Sequence, residues 1–119
     1  MAMAELSVEG DELVVHLRPI EKVEGMHGDL RLPRHSVVSV EVLDDAVHAV
    51  QGFKTVGTAL PGYAAIGTFR SNDRKTFAVV HHDTPRGVRV RLTDARFDEL
   101  VIGCDAPEAV VAAIGPPAG

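Results

Sequence analysis

The stretch GFKTVGTALPGYAAIGTF, Gly52–Phe69, places glycines at 52, 57, 62 and 67, one every five residues, between apolar positions. Glycine at this density marks backbone that bends sharply or passes close to other backbone. The segment is therefore expected to be a crossing that lets one strand enter a small bent sheet. Its GTALPG portion, Gly57–Gly62, has the GxxxxG spacing of a phosphate-cradling loop. Such a loop needs Lys and then Ser or Thr next, to reach the phosphates and the magnesium ion, and here Tyr63 and Ala64 follow. The reading is architectural: a turn at Pro61 and Gly62 launches a buried strand over Tyr63–Phe69.

Working outward, strict alternation of apolar and polar residues recurs at strand spacing. Leu6 and Val8, then Leu13, Val15 and Leu17, flank the turn signal Glu9-Gly10-Asp11 and read as a hairpin. Arg18–Gly28 reads as an irregular connection or a helical turn or two, kept short by Gly25 and Gly28. Leu30–Leu32 is a short strand stopped by Pro33, and Ser36–Leu43 resumes with Val38, Val40 and Val42 on one face. Asp44 reads as the N-cap of a helical turn over Asp45–Val50. Downstream, Ser71-Asn72-Asp73 is a turn. Lys75–His81 is a strand with Phe77 and Val79 on one side and Ala78 and Val80 on the other. Val88, Val90 and Leu92 alternate with Arg89, Arg91 and Thr93, the arginine face turned to solvent. Leu100–Gly103 is the last strand. Asp105 and Glu108 stand at capping-box spacing with Pro107 in the first turn, so DAPEAVVAAI forms a C-terminal helix ended by Gly115, Pro116 and Pro117.

The expected order is about seven antiparallel strands followed by one capped helix. The fold class is mainly β with one C-terminal α-helix, a bent antiparallel sheet or partly open barrel whose open end the helix covers. With 119 residues, 45% hydrophobic and 24% charged, the chain reads as a single domain able to bury its own core. LRLPRHSVVSVEV, the GF at Gly52, LPGYAAIGTFR, KTFAVVHH and the DAPEAVVAAI ending resemble bacterial pleckstrin-homology-like (PH-like) domain proteins. The resemblance runs from Leu30 to Ile114 and leaves residues 115–119 as a tail. It implies a PH-like fold, frequent self-association and no particular chemistry. Phosphoinositide-binding members carry basic residues in the first hairpin loop; here Val8–Glu12 is acidic, so phosphoinositide binding is not supported.

A formal net charge of −5 argues against capture by nucleic acid or anionic lipid, which rely on concentrated positive charge. The four Phe residues and Tyr63 are too scattered for base stacking. The start lacks the pattern of a secretory signal, and no run of residues reads as an integral membrane segment. The single cysteine, Cys104, excludes an internal disulfide and fits a reducing, cytoplasmic location. Nine arginines against three lysines suggest a GC-rich bacterial genome.

The chain has six histidines, His16, His27, His35, His48, His81 and His82, but none at HExxH spacing, and Cys104 has no cysteine partner; no metal and no cofactor is expected. His81, His82 and Asp83 are the candidates for an acid/base corner at a strand end, with Asp83 orienting an imidazole. A nucleophile would come from Ser36, Thr55 or Cys104. The more frequent explanation is a polar strand end entering a turn. Arg86, Arg89, Arg91 and Arg96, with Arg70 and Arg74, are the basic concentration, and Arg89 and Arg91 are the candidates for an acidic or phosphate-bearing partner; the simpler reading is a solvated strand face. Cys104 beside Gly103 reads as a small buried hydrophobe, with the capped helix following as a possible source of thiolate stabilisation. The functional expectation is a noncatalytic interaction module acting as a homo-oligomer or by binding a protein or small ligand. The alternatives are a small enzyme built on His81, His82 and Asp83 at a barrel end, and recruitment to an anionic membrane surface by the arginine face.

Overall fold

A computed structural model describes residues 5–17, 29–50, 53–60, 64–71 and 74–114, with the backbone alone for most of 53–60. The Arg18–Gly28 connection with His27, the turns at Pro61-Gly62 and Asn72-Asp73, Gly52, Tyr63 and the 115–119 tail lie outside the described residues.

Nine strands are described: β1 (Glu5–Glu9), β2 (Glu12–His16), β3 (Leu30–Pro33), β4 (Val37–Leu43), β5 (Phe53–Leu60), β6 (Ala64–Ser71), β7 (Arg74–His81), β8 (Gly87–Leu92) and β9 (Glu99–Gly103). Two helices accompany them, α1 (Ala46–Ala49) and α2 (Pro107–Ile114), together with a 3-10 turn at Arg34–Ser36. The chain is mainly β with a C-terminal helix. Its strands form two sheets, β1-β2-β3 and β4-β8-β9-β7-β6-β5, and these do not close into a barrel. Neighbours pair antiparallel except β7 and β9, which run parallel, Thr76 opposite Glu99 and Val79 opposite Ile102. Phe53–Leu60, expected as a glycine-rich crossing, is instead a full strand in a hairpin with β6, which adds a strand to those expected.

Alternation decides what each face of the six-stranded sheet meets. Ile66, Phe77, Val79, Val88, Val90, Leu100 and Ile102 turn inward and pack on Leu13, Val15, Leu30 and Leu32 of the small sheet, with Ile114 of α2. Each such side chain contributes roughly 1.5–3 kcal/mol on burial. The opposite face carries a second, smaller core of Ala65, Phe69, Ala78, Val80 and Val101, against which Ala46 of α1 is fully buried. The split of Phe77 and Val79 from Ala78 and Val80 follows the expected alternation. α2 lies against β1, β4 and β8, extending the layer of the small sheet, while α1 sits on β7 and β9. Gly87 permits the close approach of α1: a Cβ there would stand 3.0 Å from that of Ala46 and 2.3 Å from the Ile102 carbonyl oxygen.

The helix caps differ from expectation by one residue. Asp45, not Asp44, caps α1, its carboxylate accepting from the His48 backbone N–H at 3.2 Å and approaching His48 Nδ1 at 2.7 Å. These contacts, the backbone N–H first, hold the Asp45 carboxyl below its ordinary value. At α2 the Ala106 carbonyl accepts from Ala109 and Val110. Glu108 reaches Arg86, which donates to both its carboxylate oxygens. At the other end of the helix, Arg34 donates to the Ile114 carbonyl.

Candidate functional site

β4 and β8 bring together the charges that the sequence leaves scattered. Glu41 stands opposite Arg89 and Ser39 opposite Arg91, while Arg91 stands opposite Glu99 on β9. These residues share the face of the large sheet that points away from the small one. Arg89 Nη1 donates to Glu41 Oε1 at 3.1 Å, and Nη2 reaches the Ala49 carbonyl at 3.4 Å, tying the end of α1 to the sheet. Arg89 Nε lies 3.1 Å from Glu99 Oε2, yet neither atom has a hydrogen-bond partner. They are in contact without alignment, so their attraction is Coulombic. Glu99, only 6% exposed, accepts from Thr76 Oγ1 at 3.1 Å and from Arg74 Nη1 at 3.4 Å through its other oxygen.

This arrangement corrects the expectation of a solvated arginine face. Arg91 is exposed, but the Arg89 side chain is only 19% exposed and is committed to Glu41 and Glu99. A guanidinium held between two carboxylates has little capacity left for an acidic ligand. Arg86 belongs to the opposite end of β8, with Glu108 and, at 3.8 Å, Asp44. The basic concentration is therefore divided. Sequence reasoning missed Glu41; the available signal was one carboxylate inside a strongly apolar strand, VVSVEVL.

His81, His82 and Asp83 occupy a tight turn. The Thr84 N–H donates back to the His81 carbonyl at 3.1 Å, and His81 forms an isolated bridge with Thr84. His82 and Asp83 are exposed; His81 is half-buried, its Nε2 shielded without a hydrogen-bond partner. Of the proposed nucleophiles, Ser36 is buried in the 3-10 turn before β4, Cys104 follows β9, and Thr55 lies on β5, where only the backbone is described. The Ser36 hydroxyl is buried without a hydrogen-bond partner among the described residues. Cys104 is half-buried rather than buried, and burial, reinforced by Asp105, pushes its thiol up despite the opposing charge of Arg86.

Two cavities are described, and neither is lined by the histidine turn. One, about 530 Å³, opens among Asp11, Glu12, Pro33, Arg34 and His35; the other, about 250 Å³, lies between Glu5, Leu6, Ile102, Cys104 and Val110. On the outer face of the small sheet, His16 stands 2.6 Å from Glu9 and 3.6 Å from Asp29, with Arg31 3.3 Å from Glu12. The hydrogen bond from His16, followed by that from Ser7, holds the Glu9 carboxyl below its ordinary value. Among the described residues no set of three His, Cys, Asp or Glu side chains is arranged to hold a metal ion, and no helix is long and apolar enough to cross a membrane.

The backbone of β4 is the other chemically available feature. β4 and β5 end the six-stranded sheet, and among the described residues β4 pairs with β8 alone. A register shift falls between Val37 and Ser39, and among the described residues Val38 is an exposed large hydrophobic, at 49%. Comparison with protein-family models, with curated proteins and with solved structures finds no match to this chain.

Proposed function

We propose that this chain is a noncatalytic interaction module of the bacterial PH-like kind, acting in the cytoplasm through self-association or by holding a protein or small ligand. The observation that carries the reading is the edge of the large sheet at β4, which among the described residues pairs with β8 alone. A strand without an outer neighbour presents backbone donors and acceptors to a second chain. The side chains that suggested catalysis fit the same reading, because His81, His82 and Asp83 form a strand end and turn. Phosphoinositide recognition is not part of the reading.

Native mass spectrometry of the purified protein tests it, since one spectrum reports subunit number and any retained small molecule. Replacing His81, His82 and Asp83 together by alanine is expected to leave the fold and every association seen in that spectrum unchanged. A strictly monomeric, ligand-free wild type, or loss of a catalysed turnover in the triple variant, overturns it.

A further inference from the structure

Resting on that interaction reading, we propose that the partner at β4 is a second copy of this chain, its β4 paired antiparallel to the first about a two-fold axis through Val40. The two sheets then join into one of twelve strands, six from each copy.

The choice of edge follows from how the other edges are protected. β1 is five residues long with an exposed glutamate at each end. β3 has four residues and ends in Pro33, which has no N–H to offer. β5 is interrupted by a register shift and by Gly57 at positive φ. Charges, proline, short length and bulges are the devices that keep edges from pairing. β4, Val37–Leu43, has seven residues, no Gly or Pro, and one charge, Glu41, already neutralised by Arg89. Its register shift affects only the first two residues. Ser39–Leu43 keeps a regular register and among the described residues has no neighbour on its outer side.

Charge then selects the register. A two-fold axis perpendicular to the sheet keeps each copy's faces aligned, so odd positions meet odd and even meet even. Centring on Glu41 would set one Glu41 against the other, and like charges directly opposite repel. Centring on Val40 sets Val40 against Val40 and Ser39 against the second copy's Glu41, all within the regular part of the strand. Arg89 occupies Glu41 Oε1, and Oε2 remains to accept from the Ser39 hydroxyl. The axis places each contact twice, giving a closed dimer rather than a fibre.

Sedimentation velocity on wild type, Ser39→Glu and Ser39→Lys tests the proposal. Within one copy Ser39 faces Arg91, so glutamate there gains a cross-strand cation and the fold is retained, which circular dichroism checks. Across the axis the same glutamate meets Glu41. The expected result is a wild-type dimer, dissociation weakened by at least about tenfold in Ser39→Glu, and a dimer kept or tightened in Ser39→Lys. A monomeric wild type at roughly 100 µM overturns the proposal, as do two variants that behave alike. A dimer indifferent to both substitutions removes this interface while leaving the interaction reading intact; the native spectrum decides that reading separately.

Discussion

Gly57 and Gly67 face each other across the β5–β6 ladder, both at positive φ, 124° and 131°. A Cβ on Gly57 would stand 2.1 Å from the Ile66 carbonyl oxygen and 2.8 Å from the Gly67 Cα. The two strands approach at this point more closely than any side chain allows, and each adopts a conformation that L-residues avoid.

Gly57→Ala is therefore expected to destabilise the protein by about 3 kcal/mol or more, combining backbone strain with a clash against rigid backbone. Gly10→Ala provides the control. Gly10 also has positive φ, 61°, but open space around it, so only the conformational cost of about 1 kcal/mol applies. Urea denaturation of the two variants measures the difference.

Glu99 and Arg74 make one ion pair but should respond unequally to removal. Glu99→Ala leaves Arg89, largely buried, with only Glu41 as counter-charge, and a loss of about 3 kcal/mol is expected. The Arg74 side chain is 47% exposed, and Arg74→Ala should cost at most about 1 kcal/mol. Equal losses in chemical denaturation would show that Glu99 is not the centre of the network.

Cys104 should alkylate slowly. Its raised pKa leaves less thiolate at neutral pH than an unperturbed cysteine has, and thiolate is the reacting form. Iodoacetamide at about pH 7.5 is expected to react severalfold more slowly than with a free cysteine peptide. Arg86→Ala, which removes the charge opposing the shift, should slow it further. A faster rate in that variant would mean that Arg86 shields the thiol sterically instead.

Glu108 carries a pH signature. Arg86 holds its carboxyl below the ordinary value of 4.5, so between the folded and unfolded values the unfolded chain binds more protons and stability rises with pH. The contribution is complete above the unfolded value and lost as pH falls through the folded one. Thermal melts of wild type and Glu108→Gln should differ at neutral pH and converge below 4.5. A constant offset across that range would contradict the assignment.

Local pattern carries much of this fold. Phe77 and Val79 separate from Ala78 and Val80 as alternation requires, and Pro107 begins the C-terminal helix. β5 escapes notice because Gly57 interrupts its period, and the reason for that glycine lies on another strand. The β7–β9 pairing is equally unreadable, since Leu100–Gly103 would look the same beside any apolar neighbour. The candidate site was half legible. Alternation places Arg89 and Arg91 on one face, but the burial of Arg89 depends on Glu41 and Glu99, which meet it only through the sheet order. His81, His82 and Asp83 belong to the strand end and turn that their composition suggests.

The sheet order also dictates a sequence of assembly. β5, β6 and β7 are a meander whose contacts are local and quick to form, whereas β8 and β9 enter as a hairpin between β4 and β7. During synthesis the centre of the large sheet is the part made late. Until Gly87–Gly103 emerges, β4 and β7 lie apart with their facing edges bare, and the apolar partners of Phe77 and Val79 on β8 and β9 do not yet exist. The hazardous interval for this protein is thus the nascent one, when strands destined for the interior are temporarily edges.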